Sequence, residues 1–373
     1  MPSTNPFRAI VNIPTAKQLY SKAETQAMKK SVRGVSESVP PLQRSRKMEA
    51  ARIEQFSKEI RSRLFQIVSE FPRLEAQSIT GFYFEILDIS FGVDNLRKTL
   101  GSLSGAANVV WRIRRQHLGQ VWHARSVLET KIVRRAAFGR IRSVVQKLDK
   151  RLHFLETVRG QMRSMPGIDL NLPTFCVVGY PNVGKSSLVK GITAASPEIG
   201  AYPFTTKEVT LGHLEIPLHL EGKSPAIHLD AQLVDTPGIL DRPLKDRNEI
   251  ELRAIAAMKT LATAMIFLFD FTQQDALEAQ RNLLEQVFQE FKIPIIVLGT
   301  KADRLEDTDQ MNFEEYWQKT FPHTGFPPLI SISSDPKYVT RLIIEFFHKH
   351  KMQIQQTIQQ RTDEMRGQEL WSN

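Results

Sequence analysis

Apolar residues recur at helical spacing from Met48 onward. Ile53, Phe56, Ile60, Leu64, Ile67 and Phe71 fall three or four positions apart, which places them on one face of an α-helix. Pro72 ends that run, because its ring clashes with the preceding turn and it has no N–H to donate. Leu96, Leu100, Leu103, Ala107 and Val110 repeat the spacing, as do Val144, Leu148, Leu152 and Leu155. Helices with one apolar stripe bury it against one another, so residues 1–165 are expected to form an all-helical bundle, with loops and one short helix in the first 45 residues. Met165-Pro166-Gly167 breaks the pattern. Short apolar runs follow: 175–178, 231–234 leading into Asp235, 264–269 leading into Asp270, 294–298 leading into Gly299, and 329–332. Helical stretches such as 249–261 and 276–291 lie between them. Buried strands alternating with helices predict an α/β domain over residues 166–350, with a doubly wound, mostly parallel sheet and its ligand beyond the carboxyl ends of the strands. A final helix, expected over 338–366, turns strongly polar, and 351–373 reads as a polar C-terminal helix or tail.

Charge sharpens this division. The whole chain of 373 residues carries a formal +10, but residues 1–165 hold 30 basic and 13 acidic side chains, a net +17, and residues 166–373 hold 20 and 27, a net −7. Such asymmetry predicts two modules with different partners, the first partner polyanionic. The single cysteine, Cys176, excludes an intramolecular disulfide framework and a cysteine-based zinc site. No apolar run approaches the ~18 residues of a membrane span, and the N-terminus lacks the layout of a secretory signal; a soluble, reduced, intracellular protein is expected. His213, His219, His228 and His323 show no metal-ligand spacing.

The chemistry concentrates in the second module. Residues 179–186, Gly-Tyr-Pro-Asn-Val-Gly-Lys-Ser, fit a phosphate-binding loop directly after a strand and before a helix. Gly179 and Gly184 let the backbone curl so that the N–H groups of Pro181 through Ser187 that carry one (Asn182, Val183, Ser186 and Ser187 among them) surround phosphates beside a helix N-terminus. Lys185 is expected to reach the β- and γ-phosphates, and Ser186 to give its hydroxyl oxygen to magnesium. Thr300-Lys301-Ala302-Asp303 follows the strand ending at Leu298. A carboxylate at Asp303 accepts two hydrogen bonds from guanine, a donor pair adenine lacks, which points to GTP and GDP rather than ATP. The Lys301 stem would cover the ring; Thr300 stands where such motifs usually have Asn. Ser333 and Ser334 follow the last apolar run, where N–H groups can meet the guanine O6. Asp235 in Asp-Thr-Pro-Gly supplies a metal-side carboxylate, and Gly238 an N–H for the γ-phosphate. Thr205 and Thr206, with Thr206 preferred, lie where a switch threonine closes on magnesium. Lys185, Thr206 and Gly238 are the candidates for catalysis; Ile239, next in sequence, cannot orient a water, so unaided hydrolysis is expected to be slow and to need a partner. Arg242 and Arg247, just beyond the switch, are candidate donors of charge to the transition state, although surface arginines are more often solvated, and Asn182 is a candidate for holding a monovalent cation, potassium.

These residues carry a resemblance. Residues 179–187, the Tyr202-Pro203-Phe204-Thr205-Thr206 stretch and Asp235 through Leu244 (DTPGILDRPL) resemble the nucleolar G-protein (Nog) family of Obg-related GTPases. The match continues at 247–251 and reaches back to residues 13–17, 71–74 and 134–140. The resemblance implies a helical domain before a GTPase domain, and a role in assembly of the large ribosomal subunit, with its rRNA, precursor particles and other assembly factors as partners. The chain ends soon after the GTPase domain, unlike the long eukaryotic members, so the resemblance is to a short, archaeal-like form and implies a cytoplasmic location; a nucleolar one would apply only to a eukaryotic protein.

Between residues 111 and 163 lie fourteen basic side chains, eleven of them Arg, against Glu129, Asp149 and Glu156. Arginine-rich helices bind phosphate backbones with release of counterions, which points to RNA. His117, Trp122 and His123 are candidates for stacking on splayed bases, although Trp111 and Trp122 taken singly read as core residues. The leading function is therefore a GTP-hydrolysing switch that docks a basic helical domain on rRNA. The alternative is a nucleic-acid-binding assembly module that binds nucleotide but barely hydrolyses it. A membrane-surface GTPase finds no support, since no lipidation signature or strongly apolar helix face is present.

Overall fold

The computed structural model describes residues 5–31, 39–74, 81–193, 196–203, 208–218, 227–235, 249–322, 325, 327–332 and 334–370. The chain divides into two compact units, and the division is not a single cut near residue 165. One unit takes residues 6–74 and 91–163; the other takes the remainder, including residues 81–90 from within the helical half.

The first unit is helical: α1 (Ala16–Met28), α2 (Pro41–Glu70), α4 (Val93–His123), α5 (Val127–Gln146) and α6 (Asp149–Arg163). The apolar stripe of α2 is buried as its spacing predicts, from Ile53 to Ile67; α2 packs against α4, which buries Leu96, Leu103 and Val110, and against α5, which buries Ala137, Phe138 and Ile141. Phe56 and Phe138 stack at 4.1 Å between ring centroids. Side chains set the helix starts. Thr15 and Gln18 form a reciprocal capping box on α1, and Ser126 accepts from the Glu129 N–H at the start of α5. Two carboxylates of α6 hold the segment before α1: Glu156 accepts from the Ile13 N–H at 2.9 Å, and Asp149 from the Ala16 N–H at 3.0 Å. The stripe predicted through Val144 and Leu155 spans two helices rather than one. Lys147 caps α5, the turn resets the helical phase, and Val145 is the buried residue instead of Val144.

The second unit contains one six-stranded sheet in the order β2-β3-β4-β1-β5-β6. Its strands are β1 (Thr174–Gly179), β2 (Glu198–Ala201), β3 (Glu208–Leu218), β4 (Ile227–Asp235), β5 (Ala264–Asp270) and β6 (Ile295–Thr300). The four from β4 to β6 are parallel, whereas β2 and β3 form an antiparallel edge. That edge was not expected, although part of β3 alternates buried Leu214 and Ile216 with exposed His213 and Glu215, a two-residue period visible in the sequence. The predicted strand at 329–332 is reduced to one parallel bridge between Leu329 and Gly299. Pro327 and Pro328 precede it, and proline has no N–H to extend a ladder. On one face of the sheet Leu188 and Val189 of α7 (Lys185–Ile192) and Val339, Ile343 and Phe347 of α11 (Pro336–Leu370) pack against Phe175, Val177, Ile266 and Leu268. Trp317 of α10 (Asp307–Thr320) packs edge-on to Phe269 at 5.5 Å. The remaining helices are α8 (Glu249–Leu261) and α9 (Leu277–Glu290), together with α3 (Gly81–Phe91). Tyr83 of α3 donates its hydroxyl proton to the Pro166 carbonyl and accepts from the Ile168 N–H, and Phe82 meets Tyr202 at 5.9 Å.

Candidate nucleotide site

Four adjacent parallel strands end together at residues with chemistry: β4 at Asp235, β1 at Gly179, β5 at Asp270 and β6 at Thr300. All six residues of β1 are buried, and the chain turns sharply at Gly179, whose φ is +149°. A Cβ there would stand 2.5 Å from the Leu268 carbonyl oxygen, so the turn admits only glycine. Asn182 adopts φ +65°, and Gly184, at φ +102°, begins α7 without a side-chain cap. The first amides of α7, those of Lys185, Ser186 and Ser187, have no acceptor within the helix. Pro181, Asn182, Ser186 and Ser187 are exposed around this turn, and Val183 is buried beneath it.

Lys185 is buried along its length, and its ammonium donates to the carbonyls of Gly179 at 2.8 Å and Tyr180 at 2.9 Å, inside the curl of the loop. The Ser186 hydroxyl donates to Asp235 Oδ2, joining the loop to the end of β4. Asp235 is fully buried. Two hard oxygen donors thus meet at the loop, a set suited to a small divalent cation.

The second half of the site lies at the ends of β5 and β6, where Asp270 pairs in register with Thr300. Lys301 takes φ +59°, a left-handed backbone uncommon for a side chain of this length, and starts a 3-10 turn over Ala302–Arg304. Its ammonium pairs with Asp270 Oδ2 at 2.6 Å. Burial pushes the Asp270 carboxyl upward, but bonds from Lys301, Thr272 and Gln273 outweigh that and hold it below the ordinary carboxylate range. Asp303 is exposed and accepts from the Ser331 hydroxyl at 2.9 Å. The Ser331 hydroxyl also lies 3.0 Å from the Ser334 hydroxyl.

The structure therefore gathers Gly179, Pro181, Asn182, Val183, Gly184, Lys185, Ser186, Ser187 and Asp235 at one end of the site, and Thr300, Lys301, Asp303 and Ser334 at the other. Thr205, Thr206, Gly238, Ile239, Arg242, Arg247, His219, His323 and Ser333 lie outside the described residues. Asp270, Gln273 and Ser331 were missed by the sequence reading. The signal for Asp270 was present, since two apolar strands each end in aspartate.

In the helical unit two expectations are corrected. His117 is buried, with Nδ1 2.8 Å from the Ile113 carbonyl oxygen, and cannot stack on a base. Trp111 and Trp122 are not core residues: Trp122 is 49% exposed, and Trp111 lies on the surface between the guanidinium groups of Arg61 and Arg114. Of the fourteen basic residues, Arg114, Arg134, Arg142 and Arg159 pair with Glu54, Glu49, Glu24 and Glu156, three of those acids coming from α1 and α2. The other ten are exposed.

Comparison with known proteins parallels this two-part construction. Residues 7–169 match the family model described as the NOG1 N-terminal helical domain, and residues 174–301 match that of the 50S ribosome-binding GTPase. Uncharacterized protein MJ1408 of Methanocaldococcus jannaschii is 30% identical over 305 residues, covering 81% of this chain and 82% of that protein. Nucleolar GTP-binding protein 1 of Caenorhabditis elegans is 31% identical over 80% of this chain and 42% of its own length, and that of Arabidopsis thaliana 31% over 80% and 43%. The chain thus spans less than half the length of these two nucleolar relatives.

Proposed function

Because the chain belongs to the nucleolar G-protein (Nog) family of Obg-related GTPases, we propose that it is a GTP-hydrolysing switch in large ribosomal subunit assembly, docking its basic helical unit on rRNA. The observation that carries this reading is the meeting of the phosphate loop, Asp235 and the Thr300–Asp303 loop at the ends of adjacent strands. In this reading the amides of Asn182 through Ser187 surround the phosphates, with Lys185 neutralising the β- and γ-groups. Magnesium fits the Ser186 hydroxyl and the Asp235 carboxylate, with Thr206 as a third ligand, and when bound it supplies charge neutralisation at the phosphates. Gly238 would contribute an N–H to the γ-phosphate. Asp303 takes the guanine edge, Lys301 covers the ring, and Thr300, Ser333 and Ser334 border the base. Asn182, in a left-handed turn on the loop, is the residue proposed to hold potassium.

The ten exposed basic side chains between residues 112 and 163, on α4, α5 and α6 and the turns that join them, are the proposed rRNA surface. Precursor particles and their assembly factors are the proposed partners, in the cytoplasm. No helix among the described residues is long and apolar enough to cross a membrane. One observation favours the second reading, slow or negligible turnover: the aliphatic Ile239 follows Gly238.

Single-turnover hydrolysis with and without large-subunit precursor particles tests the proposal. Particles should accelerate turnover, faster in potassium than in sodium. GTP that stays unhydrolysed in both arms supports the binding-module reading, and binding of ATP as tight as GTP removes both.

A further inference from the structure

We infer that Asp270 is a positioning residue for guanine recognition: it fixes Lys301 and, through the turn that Lys301 starts, aims Asp303 at the base. The inference rests on the reading of Lys301 and Asp303 as the guanine-binding pair.

Thr300 leaves this task open. It is buried at the end of β6, and its hydroxyl reaches the Phe269 carbonyl only at 3.5 Å, the limit of a hydrogen bond. Among the described residues its side chain makes no strong tie between the base-binding loop and the rest of the site. Lys301, next along, has a left-handed backbone, a conformation that persists in a non-glycine residue only where its surroundings impose it. The restraint is the 2.6 Å ion pair to Asp270, which stands opposite Thr300 in the sheet.

Asp270 is itself unusually fixed. Gln280, fully buried, clamps its backbone from both sides, accepting from the Asp270 N–H at 2.8 Å and donating to its carbonyl at 2.9 Å. Oδ1 accepts from the Thr272 N–H at 3.0 Å and its hydroxyl at 2.6 Å. Oδ2 accepts from the Gln273 amide at 2.6 Å as well as from Lys301. The Gln273 amide also faces the Pro181 carbonyl at 3.5 Å, so the same carboxylate stands between the base-binding turn and the phosphate loop. From Lys301 the restraint passes into the 3-10 turn. The Lys301 carbonyl accepts from the Arg304 N–H at 3.0 Å, and the Ala302 N–H donates to the Ile330 carbonyl at 3.2 Å, next to Ser331, the residue that orients Asp303.

The test is equilibrium binding of GDP, IDP and pyrophosphate to the full chain. IDP lacks the 2-amino group, so the GDP-to-IDP affinity ratio reports how well Asp303 is aimed, and pyrophosphate reports the phosphate loop alone. Asp270→Asn keeps the shape and removes the charge. It should weaken GDP about tenfold, bring the GDP-to-IDP ratio toward one and leave pyrophosphate unchanged. Lys301→Gln, which also loses the stem over the ring, should bring the ratio toward one in the same way with a larger loss of GDP affinity, and combining the two should cost no more than Lys301→Gln alone, because Asp270 acts through Lys301. A folded Asp270→Asn with an unchanged ratio, an equal loss of pyrophosphate affinity, or additive losses in the double variant would overturn the inference. If Asp270→Asn does not fold, Lys301→Gln carries the test from the less buried side of the pair, and an unchanged ratio there overturns it equally. Asp303→Asn separates this from the underlying reading: if the wild-type preference for GDP survives that change, the guanine assignment itself has failed.

Discussion

The Ser331 hydroxyl donates to Asp303 Oδ1 at 2.9 Å, and this bond orients the carboxylate proposed to read guanine. Both residues border solvent, so the bond is worth about 1 kcal/mol rather than the several of a buried charged pair. Ser331→Ala should therefore raise the GDP dissociation constant by about three- to tenfold. It should leave pyrophosphate binding unchanged and lower the melting temperature by no more than about 4 °C. Titration calorimetry on the two proteins checks this.

Gly179 makes the opposite kind of prediction, in which backbone geometry decides. A methyl group there would stand 2.5 Å from the Leu268 carbonyl oxygen and 3.0 Å from Val183 Cγ2, at a φ of +149° that disfavours side chains. Neither obstacle is the free end of a flexible side chain, so β1 or β5 must shift. Gly179→Ala should destabilise the chain by about 2 kcal/mol or more, seen as an earlier denaturant midpoint even without nucleotide. A midpoint equal to wild type would mean the turn relaxes at little cost.

The sequence made parts of this legible for identifiable reasons. The phosphate loop and Thr300–Asp303 are local in sequence, and each needs fixed residue types at fixed spacing, so they could be read without tertiary knowledge. Asp270 and Ser331 escaped because their roles arise from contacts with residues about 30 positions away, 301 and 303. The helical unit shows the same limit. Three acids seemed too few for fourteen bases, yet Glu24, Glu49 and Glu54, distant in sequence, neutralise three of them. The stripe of α2 was readable because one unbroken helix keeps its phase, whereas the turn between α5 and α6 reset it.

Cys176 offers a chemical probe of opening. Burial in β1 pushes its thiol up to about 12, only partly offset by the charge of Arg361. At pH 8 about one molecule in ten thousand would carry the reactive thiolate, and the fully buried sulfur has no access to reagent. Maleimide labelling of the native chain should be slow, and its rate should rise with denaturant in step with loss of the sheet. Rapid labelling in native buffer would place the opening of β1 well below global unfolding.

Glu156 predicts the acid limb of stability. Its hydrogen bond from Arg159 lowers its pKa, burial opposes this, and the Ile13 N–H lowers it further, leaving it below its ordinary value. A depressed carboxylate stabilises the fold above its unfolded-state pKa of about 4.3 and loses that contribution as pH falls through the folded value. The denaturant midpoint should drop as pH falls below about 4, and Glu156→Gln should start lower at neutral pH and fall less steeply there. Parallel pH profiles for the two proteins would show that the tie to the N-terminal segment carries no proton linkage.

The two classes of basic residue on the helical unit should separate by assay. Arg112, Arg115, Lys131 and Arg135 are exposed and are proposed to meet phosphates. Substituting one by Ala should leave stability unchanged and reduce the slope of log affinity for rRNA against log salt by about one. Arg134 is different: it pairs with Glu49, a buried carboxylate held otherwise by Arg52 at 2.8 Å. Arg134→Ala removes one charge partner of that carboxylate and should cost about 1–3 kcal/mol of stability while leaving the salt slope close to wild type. If instead every substitution lowers RNA affinity equally and none lowers stability, the RNA responds to net charge alone, and α4 and α5 do not present the defined phosphate-binding face proposed for them.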